Sequence, residues 1–299
     1  MLSINDLNFD NLAGKEIGTA VLLKELARGG MGVIFTAYQK TLKRQIAVKI
    51  LPKALLTPWA AELFHQEAES AAILSHPNII PIYEVGETES FLYFTMQLVG
   101  GLPLSQIIKR MQRNILPSRR SFPTNAAIKI VMGVLSALDY AHGQGIIHRD
   151  IKPANILIES HTNRPIVTDF GIAKVLRGPE MNVPKSVGTP VYMAPEQVMG
   201  LTVDGRADIY PLGVTLFELL VTNLPLPNYD TAQDLIKMKI VLKDRLFQKK
   251  PSEMNPEIDT EMDEIVCKAL SHDRENRYSS CWEFTEALKN YQRHHGKTA

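Results

Sequence analysis

The spacing of apolar and polar positions changes partway along the chain. Up to about residue 97 the apolar runs are short and rich in β-branched and aromatic residues: Val21–Leu26, Val33–Tyr38, Ile46–Leu51, Ile80–Val85 and Phe91–Met96. Such runs, bounded by glycine, proline and polar clusters, predict strands. One helix is predicted among them. Thr57-Pro58 reads as its N-cap and first position, and the pattern stops before His76-Pro77. Leu63, Glu67, Ala71 and Leu74 share its inward face, and Glu69 falls off it. Beyond residue 97 the period lengthens. Thr124–His142 carries Ile128, Val131, Leu135 and Leu138 on one side, and Ile209–Val221 is apolar on nearly every side, which marks a buried helix. Residues 222–292 predict further helices. Residues 1–17 are mixed and polar and predict a surface leader, and 293–299 predict a frayed polar tail.

Between the two long helices lies a short predicted hairpin, Ile156–Ile158 and Ile166–Val167 around a turn-rich centre. Its mouth collects the polar residues His148-Arg149-Asp150, then Asn155, then Asp169-Phe170-Gly171. An acid near an asparagine, with a second acid close by, suits phosphoryl transfer. One carboxylate can orient a hydroxyl while the asparagine and the other carboxylate hold Mg²⁺ against phosphate oxygens. Two upstream features extend this chemistry. Ala27-Arg28-Gly29-Gly30-Met31-Gly32 is a glycine-rich turn between strands, where backbone N–H groups can approach phosphate; by itself this is also ordinary hairpin chemistry. Lys49 lies in the apolar run Ile46–Leu51 and needs a counter-charge there. A helical glutamate is ordinarily a solvated surface partner, but the inward face of the upstream helix makes Glu67 the candidate.

In this order and spacing, the segments HRDIKPAN and DFG, the glycine-rich turn with Ile34 after it, and Ala47-Val48-Lys49 resemble the protein kinase family. The resemblance covers residues 18–292 and is closest to Hanks-type serine/threonine kinases of bacteria. It implies an α+β, bilobal protein kinase fold: a small antiparallel sheet with one helix (18–98) and a larger helical lobe (99–292). The implied activity is transfer of the ATP γ-phosphoryl group to serine or threonine hydroxyls of protein substrates, with autophosphorylation. It implies Asp150, Lys152, Lys49 and Glu67 as catalytic residues, and Asn155 and Asp169 as ligands of Mg²⁺. For ATP it implies Leu26, Ala27, Gly29, Gly30, Gly32, Ile34, Ala47, Lys49, Met96, Gln97, Val99 and Leu157, with Met96 as gatekeeper and Gln97 and Val99 as hinge. Gly188–Met193 resembles the substrate-docking loop, and Arg277 the arginine that pairs with Glu196 of Ala194-Pro195-Glu196. Three positions depart from the family pattern: Ala27 opens the glycine pattern, Gln97 stands where most relatives have glutamate, and Pro211 sits in the predicted buried helix, where it is expected in the first turn.

Control of the activation segment is read from its hydroxyls. Between Asp169 and Glu196 these are Ser186, Thr189 and Tyr192. Lys185 lies beside Ser186 and would repel Arg149, so substantial activity is expected without a phosphate on this segment. Two other functional classes stay open: a pseudokinase scaffold, and a small-molecule kinase sharing the acid-to-asparagine spacing.

Composition narrows the setting. With 299 residues, 45% hydrophobic, 22% charged and a formal net charge of +1, the chain has the make-up of a globular protein, without the charge that nucleic acid or an acidic membrane would attract. Only Cys267 and Cys281 occur, in no metal or redox spacing, which suits a reducing, cytoplasmic setting. The N-terminus lacks the pattern of a secretory signal, and Ile209–Val221 is too short to cross a bilayer. The basic stretch Lys109–Arg120 reads either as a solvated loop or as a docking surface for acidic partners.

Overall fold

The computed structural model describes residues 9–29, 32–57, 61, 64–65, 68–69, 71–116, 120–170, 190–221 and 223–295. Gly30, Met31, Pro58, Leu63, Glu67, Gly171, Lys185, Ser186, Gly188 and Thr189, named above, lie outside them. The chain divides into two compact units, residues 1–100 with 170–187, and residues 101–169 with 188–299.

The first unit is built on a six-stranded antiparallel sheet. In chain order its strands are β1 (Glu16–Ile17), β2 (Ala20–Gly29), β3 (Gly32–Gln39), β4 (Arg44–Pro52), β5 (Ile82–Glu87) and β6 (Phe91–Gln97), and in space the order is β1-β2-β3-β4-β6-β5. Period two sorts the residues of β4. Ile46, Val48 and Ile50 join Leu22, Val33, Phe35 and Ala37 in one apolar layer, while Ala47, Lys49 and Leu51 point to the opposite face. The surface leader predicted for residues 1–17 is corrected from residue 9 onward. Phe9, Leu12 and Ile17 are buried in that apolar layer, residues Asp10–Leu12 form a 3₁₀ turn, and β1 pairs with β2. The physical reason is that β2–β4 present a full apolar face on this side, and this segment covers it.

Residues 61, 64, 65, 68, 69, 71 and 72 of the predicted first helix are helical. Phe64, Ala68, Ala71 and Leu74 are buried, and Glu69 is exposed. The Phe64 ring lies 6.1 Å from that of Phe94, on the face of the sheet opposite the leader.

The second unit begins with a three-stranded sheet, β7 (Gly101–Pro103), β8 (Ile156–Glu159) and β9 (Pro165–Val167), in the order β7-β8-β9. Strands β8 and β9 are the predicted hairpin, with Ile156 opposite Val167 and Leu157 opposite Ile166. Gly101 is required where it stands, because a Cβ there would run into the Ile158 carbonyl. The helices are α1 (Leu104–Gln112), α2 (Thr124–Gly143), α3 (Pro195–Met199), α4 (Arg206–Leu220), α5 (Ala232–Leu242), α6 (Thr260–Ala269) and α7 (Cys281–His295). Helix α2 buries Ile128, Val131, Leu135 and Leu138 as predicted, against α4, α7 and β9. Each such fully buried leucine contributes about 1.5–3 kcal/mol.

Three expectations change in this unit. Helix α4 starts at Arg206, so Pro211 lies in its second turn, not its first, and removes the N–H that would meet the Ala207 carbonyl. Apolar burial around nearly the whole of α4 outweighs that loss. The stretch from Lys109 is no loop at its start, since Lys109 and Arg110 belong to the last turn of α1, where the helix dipole favours cations. Arg120 is tied down by a bond from Nε to the Asn114 carbonyl, 2.9 Å. The predicted tail is helical to His295, where His294 and His295 both reach Glu261 at 3.0 Å.

Candidate active site

In the first unit, strand register brings the predicted residues to one face. Cross-strand partners share a face, and Ala27 pairs with Ile34, Ile34 with Lys49, and Lys49 with Phe94. The neighbouring row is Thr36, Ala47 and Met96. Ile34, Ala47, Lys49 and Met96 therefore lie together on the face opposite the leader. Lys49 is only 4% exposed, with its ammonium 5.8 Å from the Phe94 ring centroid. Leu26 sits in a bulge of β2 and is 52% exposed. At Gly29 an added Cβ would meet nothing, whereas at Gly32 it would strike the Ile50 carbonyl. Gly32 is thus required by the neighbouring strand as well as by any ligand. The N–H of Gln97 donates to the Pro81 carbonyl at 3.1 Å, which leaves at most its carbonyl for a ligand. Val99 follows, half-buried.

In the second unit the loop 148–155 is organised by a buried carboxylate. Asp208 of α4 is fully buried. Its Oδ2 accepts from the His148 N–H at 2.9 Å and its Oδ1 from the Arg149 N–H at 2.7 Å, while His142 Nε2 lies 2.8 Å from Oδ2. Burial pushes this carboxyl up, but the bond and charge of His142 and the Arg149 N–H outweigh it, and its pKa falls. Arg149 adopts φ of 67° under this grip. His148 then sets the loop from within. Its Nδ1 accepts from the Asp150 N–H at 3.2 Å, so Nε2 carries the proton and donates to the Thr168 carbonyl at 2.8 Å. That bond ties the loop to the end of β9, next to Asp169, whose φ is 64°. The Asn155 carbonyl accepts from the Thr168 N–H at 2.9 Å, a second tie between the same segments.

Three predicted residues meet here. Lys152 Nζ donates to Asp150 Oδ2 at 2.7 Å, and Asn155 Nδ2 donates to the same oxygen at 2.9 Å and to the Asp150 carbonyl at 2.8 Å. With its nitrogen engaged, the Asn155 amide has its oxygen left for a cation. Asp150 likewise has Oδ1 left for a hydroxyl. An amide oxygen and a carboxylate, Asn155 and Asp169, form a hard-oxygen donor set that fits a small divalent cation. Leu157 lies on β8, two residues past the loop's end.

Two anchors hold the segment after Pro190. Arg277 places all five of its N–H groups: Nη1 and Nη2 each meet a Glu196 carboxylate oxygen at 2.8 Å, and the remaining three meet the carbonyls of Ser271, Arg206 and His272. Sequence reasoning missed Gln197, whose Oε1 accepts from the Ala194 N–H and whose Nε2 donates to the Arg149 carbonyl at 2.9 Å. Nothing in its spacing marks it, because the carbonyl it meets lies 48 residues away. Among the described residues no cluster of histidine, cysteine, aspartate and glutamate could hold a further metal ion, and no helix is long and apolar enough to cross a membrane.

These elements, with the sheet unit and the loop between α2 and β8, define a protein kinase fold, and residues 21–291 match the family described as protein kinase domain. The chain belongs to the protein kinase family, among the Hanks-type serine/threonine kinases. It is similar to the serine/threonine-protein kinase Pkn1 of Myxococcus xanthus, 34% identical over 94% of this chain and 39% of the relative. It is also similar to PknF of Mycobacterium tuberculosis, 34% identical over 92% of this chain and 56% of the relative, and to the probable kinase PknB of Lactococcus lactis, 38% over 86% and 39%. The chain thus spans about two fifths to a little over half of these relatives. The crystal structure of the M. tuberculosis PknI kinase domain matches with a TM-score of 0.72 at 28% identity, over 93% of this chain and 98% of that one.

Proposed function

We propose that this chain phosphorylates serine and threonine hydroxyls of proteins with ATP and Mg²⁺, and that Asp150 is the residue at the reacting hydroxyl. The observation that carries the reading is the convergence of Lys152 Nζ and Asn155 Nδ2 on one oxygen of Asp150. Both donors fix the carboxylate in orientation, so its other oxygen can align the substrate hydroxyl and take its proton. Lys152, bonded to the first oxygen, offsets charge on the group in transfer. Asn155 and Asp169 hold Mg²⁺, which when bound neutralises phosphate charge. Lys49, with Glu67 as its counter-charge, grips the α- and β-phosphates, and Met96, Gln97 and Val99 border the adenine. Gly29 and Gly32, with Gly30, let backbone N–H groups reach the phosphates.

The test is incubation with labelled ATP, Mg²⁺ and a generic basic protein, then mass spectrometry of both proteins. Phosphoserine or phosphothreonine with the wild-type chain, absent with Asp150→Asn, is the expected result. Phosphorylation of metabolites alone would overturn it. A cytoplasmic setting for this domain is supported by two unpaired cysteines, exposed Cys267 and buried Cys281. Docking of acidic partners rests on the exposure of Lys109, Arg110 and Arg113, and charge reversal at all three should then raise the KM of acidic substrates alone.

A further inference from the structure

Lys239 is a lysine with no solvent to hold its charge. It lies on α5, which starts at a capping box between Thr231 and Asp234, and it is 1% exposed. Its ammonium donates to two backbone carbonyls of one short segment, Val191 at 2.7 Å and Met193 at 2.5 Å, and sits 4.5 Å from the Tyr210 ring centroid. The intervening residue is held from elsewhere. The Tyr192 hydroxyl donates to Glu218 Oε2 of α4 at 2.5 Å. The segment Pro190–Met193 is therefore gripped by a buried cation on α5 and a half-buried acid on α4.

Packing alone does not call for this arrangement. A methionine at 239 would fill the same space without bringing an ammonium into the interior, which is costly unless the charge is met. What the ammonium adds is direction. Charge-assisted donors fix the two carbonyls they meet, and with them the backbone between. From this geometry we propose that Lys239 is a positioning residue that sets the shape of the 190–193 segment as the docking surface for the polypeptide substrate. The inference rests on the kinase reading above. Lys239 acts through the loop and touches no reacting group. The substrate concerned is a peptide chain laid along residues 190–193, so the effect should fall on peptide binding more than on chemistry.

The experiment is steady-state phosphorylation of a serine peptide by the 299-residue chain and by Lys239→Met, with thermal unfolding measured on both. The expected result is a peptide KM raised about tenfold with kcat lowered less than about threefold, and with Lys239→Arg recovering most of the KM. An unmoved KM, or a kcat loss as large as the KM rise, overturns the proposal. Lys239→Gln, which keeps an N–H donor for the carbonyls, carries the same comparison if the methionine variant does not fold. Failure of both to fold makes the lysine a folding element and also overturns it. The wild-type chain separates the two readings. No peptide phosphorylation by it counts against the kinase assignment, whereas normal wild-type turnover beside an unmoved variant KM counts against Lys239 alone.

Discussion

The candidate residues of the two units are held by different physics. In the sheet unit, Ile34, Ala47, Lys49 and Met96 are aligned by strand register, and the residues nearest the glycine turn are exposed: Leu26, Ala27, Arg28 and Gly29 all face solvent. The ion pair there, Arg28 with Glu25, is three residues apart and wet, the kind that adds little. In the helical unit, Asp208, Glu196, Arg277 and Lys239 are each at most 3% exposed, and each is bonded across a long stretch of chain. The difference teaches where preorganisation is needed. On the reading proposed above, the nucleotide side is carried by a sheet with an exposed end, while the loop of Asp150 is tied by a buried carboxylate and the segment after Pro190 by a buried ion pair that cannot lose one member without leaving the other unpaired.

The largest effect should come from the tied loop itself. Asp150→Asn is expected to keep nucleotide binding and to lose phosphorylation by about 10²–10⁴-fold, measured by phosphate incorporation beside a binding isotherm. Near wild-type turnover would take Asp150 out of its role. Next is Arg277→Met, which leaves Glu196 buried and unpaired and should cost about 3–5 kcal/mol of unfolding free energy, read from urea midpoints. Paired with Glu196→Gln, the loss should shrink. If the double change is as damaging as the single, the buried pair is not the reason for the unit's stability.

A pH series sharpens the same contrast. Asp208 has a depressed pKa, so the stability it contributes is present above the unfolded aspartate value near 3.9 and disappears as pH falls through its lower folded value. Glu218 runs the other way. Burial raises it despite the bond from Tyr192, so its contribution is present below the unfolded glutamate value near 4.3 and is lost as pH rises through its folded value. Unfolding curves should therefore show Asp208→Asn flattening the acid limb and Glu218→Gln flattening the slope above it. Identical pH profiles for wild type and both variants would mean neither group is coupled to folding. The sheet side should give the smallest responses. Ala27→Gly should shift ATP affinity only a few-fold, in keeping with about 0.5–1 kcal/mol of backbone freedom, and Glu69→Ala, an exposed position, should leave activity unchanged. A hundredfold change at Ala27 would show that the exposed turn is as tightly specified as the buried loop.

Much of this was legible in the chain because it is local. The strands came from period-two runs. The hairpin of β8 and β9 came from two β-branched runs around a turn, and Asp150 and Asn155 from spacing within one loop, with Lys152 added by the family pattern. The family pattern also supplied the pairing of Glu196 with Arg277, 81 residues apart. Other features had no local signal. That Asp208 holds the backbone of His148 and Arg149, that Gln197 reaches the Arg149 carbonyl, and that Lys239 meets Val191 and Met193 are contacts spanning 46 to 60 residues. An aspartate at a helix start, a glutamine after Ala-Pro-Glu and a lysine on an amphipathic helix each look like surface residues when read in sequence. Residues 9–17 were taken for a leader for the same reason. Their few apolar side chains, Phe9, Leu12 and Ile17, show no period, and only the assembled sheet provides the uncovered apolar face that draws them in. The amino-acid order determined which elements form and which polar residues share a loop, because those depend on neighbours within a turn or two. Which buried charge answers which backbone group was decided by the packing of α4, α5 and the loops against one another, since only there does removal from water make an unmet charge too costly to keep.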